Sequence, residues 1–197
     1  MKTLPDTTLA FLDLETTHLS SSLGEIVEIA IILIKNNEVL QIIEHKVKPE
    51  HLETAHPRAM EVNGYAEEKW ENAISQSECS DLALQHLKNC VVVGHNISFD
   101  LKFIRALWNK TNKIYNPVIP NICTRDLSKQ VFKQSINKFR LDDLRDVFGW
   151  SKENAHTALK DTKDCCKLFY KCISVPCPLD KYDWDLCKSL TDRITYT

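Results

Sequence analysis

Four carboxylates stand where the surrounding pattern calls for apolar side chains, and a histidine precedes the last of them. Leu9-Ala10-Phe11-Leu12-Asp13-Leu14-Glu15-Thr16 reads as a short strand, and alternation puts Leu9, Phe11, Asp13 and Glu15 on one face. Two acids on an otherwise apolar face repel each other and are costly to bury. A divalent cation would offset them, since Mg²⁺ binds through one or two carboxylates and keeps its waters. The alternative is a strand end emerging into solvent. Asp100 follows Gly94-His95-Asn96-Ile97-Ser98-Phe99, where a short apolar strand passes into an amphipathic helix. The helix dipole favours an acid in the first turn, which is a structural reason for Asp100. Asp161 shares a helical face with Ala158, Cys165, Leu168 and Cys172. An unpaired carboxylate there neutralises or meets a cation, unless it sits at the rim of the first turn. His156, just before that helix, reads either as a cap or surface residue or as a proton acceptor.

These residues need elements to hold them. Ile26–Ile34 is a near-continuous β-branched run, as in a strand covered on both faces. Asn36-Asn37 marks a turn into a third strand over Val39–Val47, giving an antiparallel meander. The period then changes. A helix is predicted over Ser77–Asn89, a short strand over Val91–Gly94, and a helix carrying Phe99, Phe103, Ile104, Leu107 and Trp108. A weaker strand spans Asn121–Leu127, and Leu141, Leu144 and Phe148 mark a further helix. The last strong helix runs from about Thr157 to Cys172, and Pro176 and Pro178 end it. Three strands followed by alternating helices and strands make an α/β class with a mixed sheet.

Composition bounds the function. With 197 residues, 43% hydrophobic and 26% charged, the chain suits one globular domain and not a disordered segment. A net charge of −2 excludes a globally basic nucleic-acid coat. The beginning has no apolar signal region, and the longest apolar run, Ile29–Ile34, is far shorter than the ~20 residues of a membrane span. The 8 cysteines, without a secretory signal, read as reduced thiols of a cytoplasmic protein. Cys165, Cys166, Cys172, Cys177 and Cys187 lack C-x₂-C spacing, so they read as small buried hydrophobes rather than zinc ligands.

Taken in order, three stretches resemble the exonuclease motifs of the DnaQ-like, DEDDh 3′→5′ exonuclease family. They are Phe11-Leu12-Asp13-Leu14-Glu15-Thr16-Thr17, His95-Asn96-x-x-Phe99-Asp100 and His156-x-Ala158-x-x-Asp161. Glu25-Ile26-Val27-Glu28-Ile29-Ala30, Val62-Asn63-Gly64 and Cys123-Thr124-Arg125-Asp126-Leu127 are similar to supporting stretches. Thr157 stands where the Tyr branch carries Tyr, which puts the chain in the His branch. One departure is His18, which replaces the glycine of the family's Glu-Thr-Thr-Gly-Leu.

The resemblance implies a ribonuclease H-like fold, with a mixed five-stranded sheet flanked by helices. It implies that Asp13, Glu15, Asp100 and Asp161 hold two Mg²⁺ or Mn²⁺ ions and that His156 takes a proton from the attacking water. A terminal phosphodiester is then cleaved to release a nucleoside 5′-monophosphate. Nucleic-acid contacts are expected at Thr16, Thr17, Leu19, Asn63, His95, Asn96, Phe99, Lys129 and Lys133. Residues 99–140 hold nine basic side chains against Asp100 and Asp126, a net +7 within a chain of −2, which favours a phosphate-tracking surface. The expected substrate is a single-stranded DNA 3′ end, as for a proofreading subunit associated with a DNA polymerase. The same motifs serve exoribonucleases of the ribonuclease T or oligoribonuclease type. A non-catalytic nucleic-acid-binding or polymerase-associated module is the reading from another class. Residues 1–175 are expected to form the exonuclease domain, and 176–197, with Trp184 and Leu186, a tail that packs as a helix or binds a partner.

Overall fold

A computed structural model describes residues 7–112 and 119–181. The sheet has the order β3-β2-β1-β4-β5. Strand β1 (Leu9–Thr16) lies at its centre, with β2 (Ile26–Lys35) antiparallel on one side and β4 (Val91–Gly94) parallel on the other. Strand β3 (Glu38–Lys46) and the short β5 (Asn121–Cys123) are the edges. The helices are α1 (Pro57–Asn63), α2 (Gln76–Leu87), α3 (Ser98–Lys110), α4 (Thr124–Phe132), α5 (Leu141–Phe148) and α6 (Ala158–Ile173). This is the mixed sheet that the ribonuclease H-like resemblance implies.

Alternation along β1 builds two cores. Ala10, Leu12 and Leu14 pack with Ala83 and Leu87 of α2 and Ile104 and Trp108 of α3. Leu9 and Phe11 face the other way, onto Cys165, Phe169 and Tyr170 of α6. Phe11 meets Phe169 edge-on at 5.5 Å, a favoured aromatic geometry. Strand β2 is buried along nearly its whole length because both faces are covered, whereas edge strand β3 alternates and carries charge. A third, smaller core joins Leu144 of α5 to Leu168 and Cys172 of α6.

The expected strand over Asn121–Leu127 is corrected. It ends at Cys123, and Thr124 begins α4, whose Leu127 packs against the α6 side of the sheet. Of the seven cysteines among the described residues, all but Cys123 are buried, in keeping with their reading as hydrophobes. The described start of the tail, Pro178–Lys181, is a 3₁₀ turn whose Leu179 joins the α6 core. Trp184, Leu186 and Cys187 lie outside the described residues. Among the described residues, no helix is long and apolar enough to cross a membrane.

Candidate active site

The site forms where β1 outruns its parallel neighbour. Among the described residues, strand β4 pairs with β1 only at Leu9, Ala10 and Phe11, so no strand neighbours the rest of that edge of β1. At the end of β4, Gly94 lets two strands and a helix start converge. A Cβ there would meet Ile97 Cδ1 at 2.5 Å and Leu12 O at 3.1 Å. Asn96 then turns the chain in a left-handed conformation, φ 68°, which asparagine tolerates. Helix α3 follows, and its inward stripe begins with Asp100. Asp100 is 3% exposed, and its Oδ1 accepts the Leu14 backbone N–H at 3.2 Å.

Asp13 and Glu15 project from β1 on the α6 side, and Asp161 approaches them from the first turn of α6. One carboxylate oxygen from each of these three lies within 4.8 Å of the others. Directly across from Glu15 on β2 stands Glu28, a like-charged pair that destabilises a sheet unless compensated. Glu28 also serves α6. Its Oε2 accepts the Ala158 N–H at 3.2 Å, where Thr157 offers the helix no side-chain cap. Helix α6 is therefore pinned to the sheet at the turn that carries Asp161.

The electrostatics match a cation site. Burial, then the charges of Asp100, Asp161 and Glu15, raise the Asp13 carboxyl well above the usual carboxylate range. Burial, then Asp161, Glu28 and Asp100, push Glu15 up to about 9. Burial pushes Asp100 up to about 8. Asp161 is raised by burial against the opposing pull of Arg145. Such a set holds protons or meets positive charge, and all-oxygen donors suit Mg²⁺ or Mn²⁺.

Three residues with parts in this site carry no expectation in the sequence reading: Glu28, Asp142 and Arg145. Arg145 of α5 is fully buried, and its guanidinium reaches Asp142 at 2.6 Å, Asp161 at 2.6 Å and Asp164 at 2.7 Å. Three ion pairs on one fork, with Asp161 and Asp164 buried and Asp142 half-exposed, explain why this charge tolerates the interior. His156 takes a left-handed φ of 65° in the turn before α6. Its N–H donates to Asp161 Oδ1 at 3.2 Å, and its exposed ring puts Nε2 3.4 Å from Asp142.

The expected nucleic-acid contacts divide. Leu19 is 82% exposed on the loop after β1, beside exposed Leu23. Asn96 and Phe99 are partly open, with Phe99 against Phe103 at 5.0 Å. Lys129 on α4 and Lys133 just after it are exposed, and they line a groove with Ile136 and Phe139. In four others, Thr16, Thr17, Asn63 and His95, side-chain polar atoms have partners inside the protein. Thr17 is fully buried, and its hydroxyl accepts the Glu25 N–H. The Thr16 hydroxyl donates to the His18 carbonyl. The Asn63 amide donates to Thr16 O and accepts from Tyr65 N–H. His95 meets Thr124 Oγ1 and the Phe139 carbonyl through its two ring nitrogens, and burial lowers its pKa to about 4.

The loop after β1 tolerates His18 in place of the family's glycine. His18 does not adopt a positive φ; its Nδ1 accepts the Ser20 N–H, and its side chain packs over Gly24. Basic residues of the 99–140 segment do not form a single face. Lys110 pairs with Glu25 and Glu50 beside the start of β2, away from the α4 groove, and Lys113 lies outside the described residues.

Comparison with known proteins gives one family and one fold. The RNase_T family model, described as an exonuclease, matches residues 10–169. The chain is 28% identical over 190 residues to a DNA polymerase III PolC-type of Thermotoga petrophila, covering 96% of this chain and 14% of that one. It is 32% identical over 164 residues to the 3′-5′ exonuclease DinG of Staphylococcus epidermidis, covering 83% of this chain and 18% of that one. The chain thus spans less than a fifth of these relatives' length. Among solved structures, E. coli Exonuclease I in complex with a dA16 oligonucleotide matches with a TM-score of 0.72 at 18% identity. That match covers 84% of this chain and 41% of that one. The dT13 complex of the same protein gives 0.73 at 18% identity, covering 85% and 40%.

Proposed function

From the premise that this chain belongs to the RNase_T exonuclease family, we propose that it is a metal-dependent 3′→5′ exonuclease acting on single-stranded DNA ends and releasing nucleoside 5′-monophosphates. The observation that carries this reading is the convergence of Asp13, Glu15 and Asp161, with Asp100 behind them, into a cluster whose carboxyls are raised. A fold held together by its apolar cores has no need of four acids gathered at one point, and a binding module without chemistry has none either.

In this reading Asp13, Glu15, Asp100 and Asp161 hold two Mg²⁺ or Mn²⁺ ions. When bound, the ions supply Lewis-acid activation of water and neutralise charge on the phosphoryl oxygens of an in-line displacement. His156 accepts the proton of the attacking water at a ring nitrogen. The bond to the 3′-oxygen of the penultimate nucleotide breaks, and the terminal nucleotide leaves with its 5′-phosphate. Leu19, exposed at the mouth of the loop after β1, supplies apolar contact to the terminal base. The strand continues over Asn96 and Phe99 toward Lys129 and Lys133, since Phe139 lines their groove while its carbonyl holds His95 at the site's edge. Residues 1–175 form the catalytic domain, and association with a DNA polymerase fits the PolC-type relatives. DNA is preferred to RNA because the relatives include DNA polymerases and the structural neighbours carry deoxyoligonucleotides.

The test offers 5′-labelled single-stranded DNA and RNA side by side, with Mg²⁺ or Mn²⁺ and with EDTA. A ladder shortening from the 3′ end of DNA, abolished by EDTA, is expected. Internal cuts or full activity in EDTA overturn the assignment, and a faster ladder on RNA overturns the substrate class.

A further inference from the structure

Asp161 Oδ1 already has two donors, Arg145 Nη2 at 2.6 Å and the His156 N–H at 3.2 Å. Its second oxygen is thereby the one left to serve Asp13 and Glu15. The same guanidinium holds Asp142 through Nη1 and Asp164 through Nε. Asp142 in turn presents its other oxygen to His156 Nε2 at 3.4 Å. One buried arginine therefore connects a carboxylate of the acidic cluster to the carboxylate facing the histidine ring. Arginine suits this part because its planar fork offers several donors in fixed directions.

Resting on the exonuclease reading above, we propose that Arg145 and Asp142 are positioning residues for the hydrolysis. Arg145 aims the second oxygen of Asp161 into the acidic cluster. Asp142, gripped by the same guanidinium, orients the His156 ring. A carboxylate facing Nε2 keeps the imidazole proton on that nitrogen and leaves Nδ1 as the atom that accepts the water's proton. At 3.4 Å the contact is longer than a formed hydrogen bond, as catalytic hydrogen bonds often are before substrate binds. Asp142 is half-exposed while Arg145 is buried, so the two roles separate by substitution.

The test compares D142N and R145K with the wild-type chain, using 5′-labelled single-stranded DNA, calorimetric Mn²⁺ titration and the ¹⁵N spectrum of the His156 ring. For D142N, kcat falls about 10–100-fold, as for an outer-shell partner, while KM and Mn²⁺ affinity hold and the single ring tautomer is lost. For R145K, one ammonium cannot reach three carboxylates, so Mn²⁺ affinity and kcat both fall about 10-fold or more while KM holds. If R145K does not fold, R145K/D164N removes one of the carboxylates left behind and carries the same readings. A D142N chain with wild-type kcat and an unchanged tautomer overturns the role of Asp142. Unchanged Mn²⁺ affinity in the lysine variant overturns that of Arg145. The Mn²⁺ and tautomer readings stand apart from the exonuclease reading, which fails instead if the wild-type chain shortens no DNA.

Discussion

Leu14 donates its backbone N–H to Asp100 Oδ1 at 3.2 Å, across 86 residues of chain. Because β4 has ended its pairing at Phe11, a side chain takes the place of the missing strand neighbour. In the proposed site, the same carboxylate would satisfy the sheet and help hold a cation. In D100N the amide oxygen still accepts from Leu14, so thermal stability in EDTA should match the wild-type value near neutral pH, where the raised carboxyl holds its proton, and exceed it above about pH 8. In D100A the Leu14 N–H is left unmet, at a cost of about 1–3 kcal/mol. Both should lose more than about 100-fold in activity, the upper range for groups that only support a metal ligand. Melting curves in EDTA beside Mn²⁺-dependent assays check the pair, and equal stability of the two variants would refute the account.

The raised carboxyls make stability depend on pH. Burial and neighbouring charge hold Glu15 at about 9, and burial holds Asp100 at about 8. In an unfolded chain such groups titrate near ~4. Between these limits the folded state binds more protons than the unfolded one, so stability falls as pH rises. The contribution is fully present below the unfolded value and is lost as pH passes through about 8 to 9. In EDTA the melting temperature should drop between pH 6 and 9. Added Mn²⁺, which replaces those protons, should raise it more at the alkaline end. A larger gain at pH 6 contradicts this.

Replacing His156 separates proton transfer from metal holding. H156A should keep its Mn²⁺ affinity in calorimetry, because the contact of this residue with Asp161 is made by its backbone N–H. Its turnover should fall roughly 10²–10⁴-fold, the usual worth of a positioned base. Near wild-type turnover would remove His156 from the reaction.

Lys129 on α4 and Lys133 at its end are exposed, with Lys129 also 3.7 Å from Asp126. If both meet single-stranded DNA, the K129A/K133A chain should show a higher KM. Its salt dependence should be shallower by about 1.4 in log–log slope, ~0.7 per phosphate contact. An unchanged slope would make them a solvated helix face.

Gly24 and His18 form a matched pair. A Cβ at Gly24 would come within 2.7 Å of His18 Cβ and 2.9 Å of its backbone nitrogen. G24A should cost about 1–3 kcal/mol, the usual penalty of overpacking. H18G/G24A should regain part of it, since only the side-chain half of the clash is relieved. Equal stabilities of the single and double variants would show that the loop yields elsewhere.

Strands β1 and β4 were legible to the residue because alternation and a bare apolar run leave little choice of boundary. The four acids were legible for a related reason: each interrupts a pattern that has a known period. Helix α1 was not, since Pro57–Asn63 buries only Asn63 and so carries no apolar stripe. Helix α4 hid because its first residues continue the composition of β5 and its apolar positions come late, at Leu127, Val131 and Phe132. Arg145 was the hardest. Within Leu141-Asp142-Asp143-Leu144-Arg145 it reads as one charge on a solvated face, and Asp161 and Asp164 reach it only after α5 packs on α6. The contacts of Thr17, Asn63 and His95 were equally out of reach, because their partners sit on other segments.

The site draws on β1, the first strand, α3, midway along the chain, and α6, the last helix longer than a turn among the described residues, with α5 supplying the arginine beside it. A ribosome releases these pieces in order. Asp13 and Glu15 emerge early, Asp100 midway, and His156 and Asp161 only when the domain is nearly complete. Until α6 docks, the Glu28 carboxylate has no helix start to receive and the acids of β1 lack their third companion. The acidic cluster is therefore assembled late, since it cannot close until the chain has been read as far as α6.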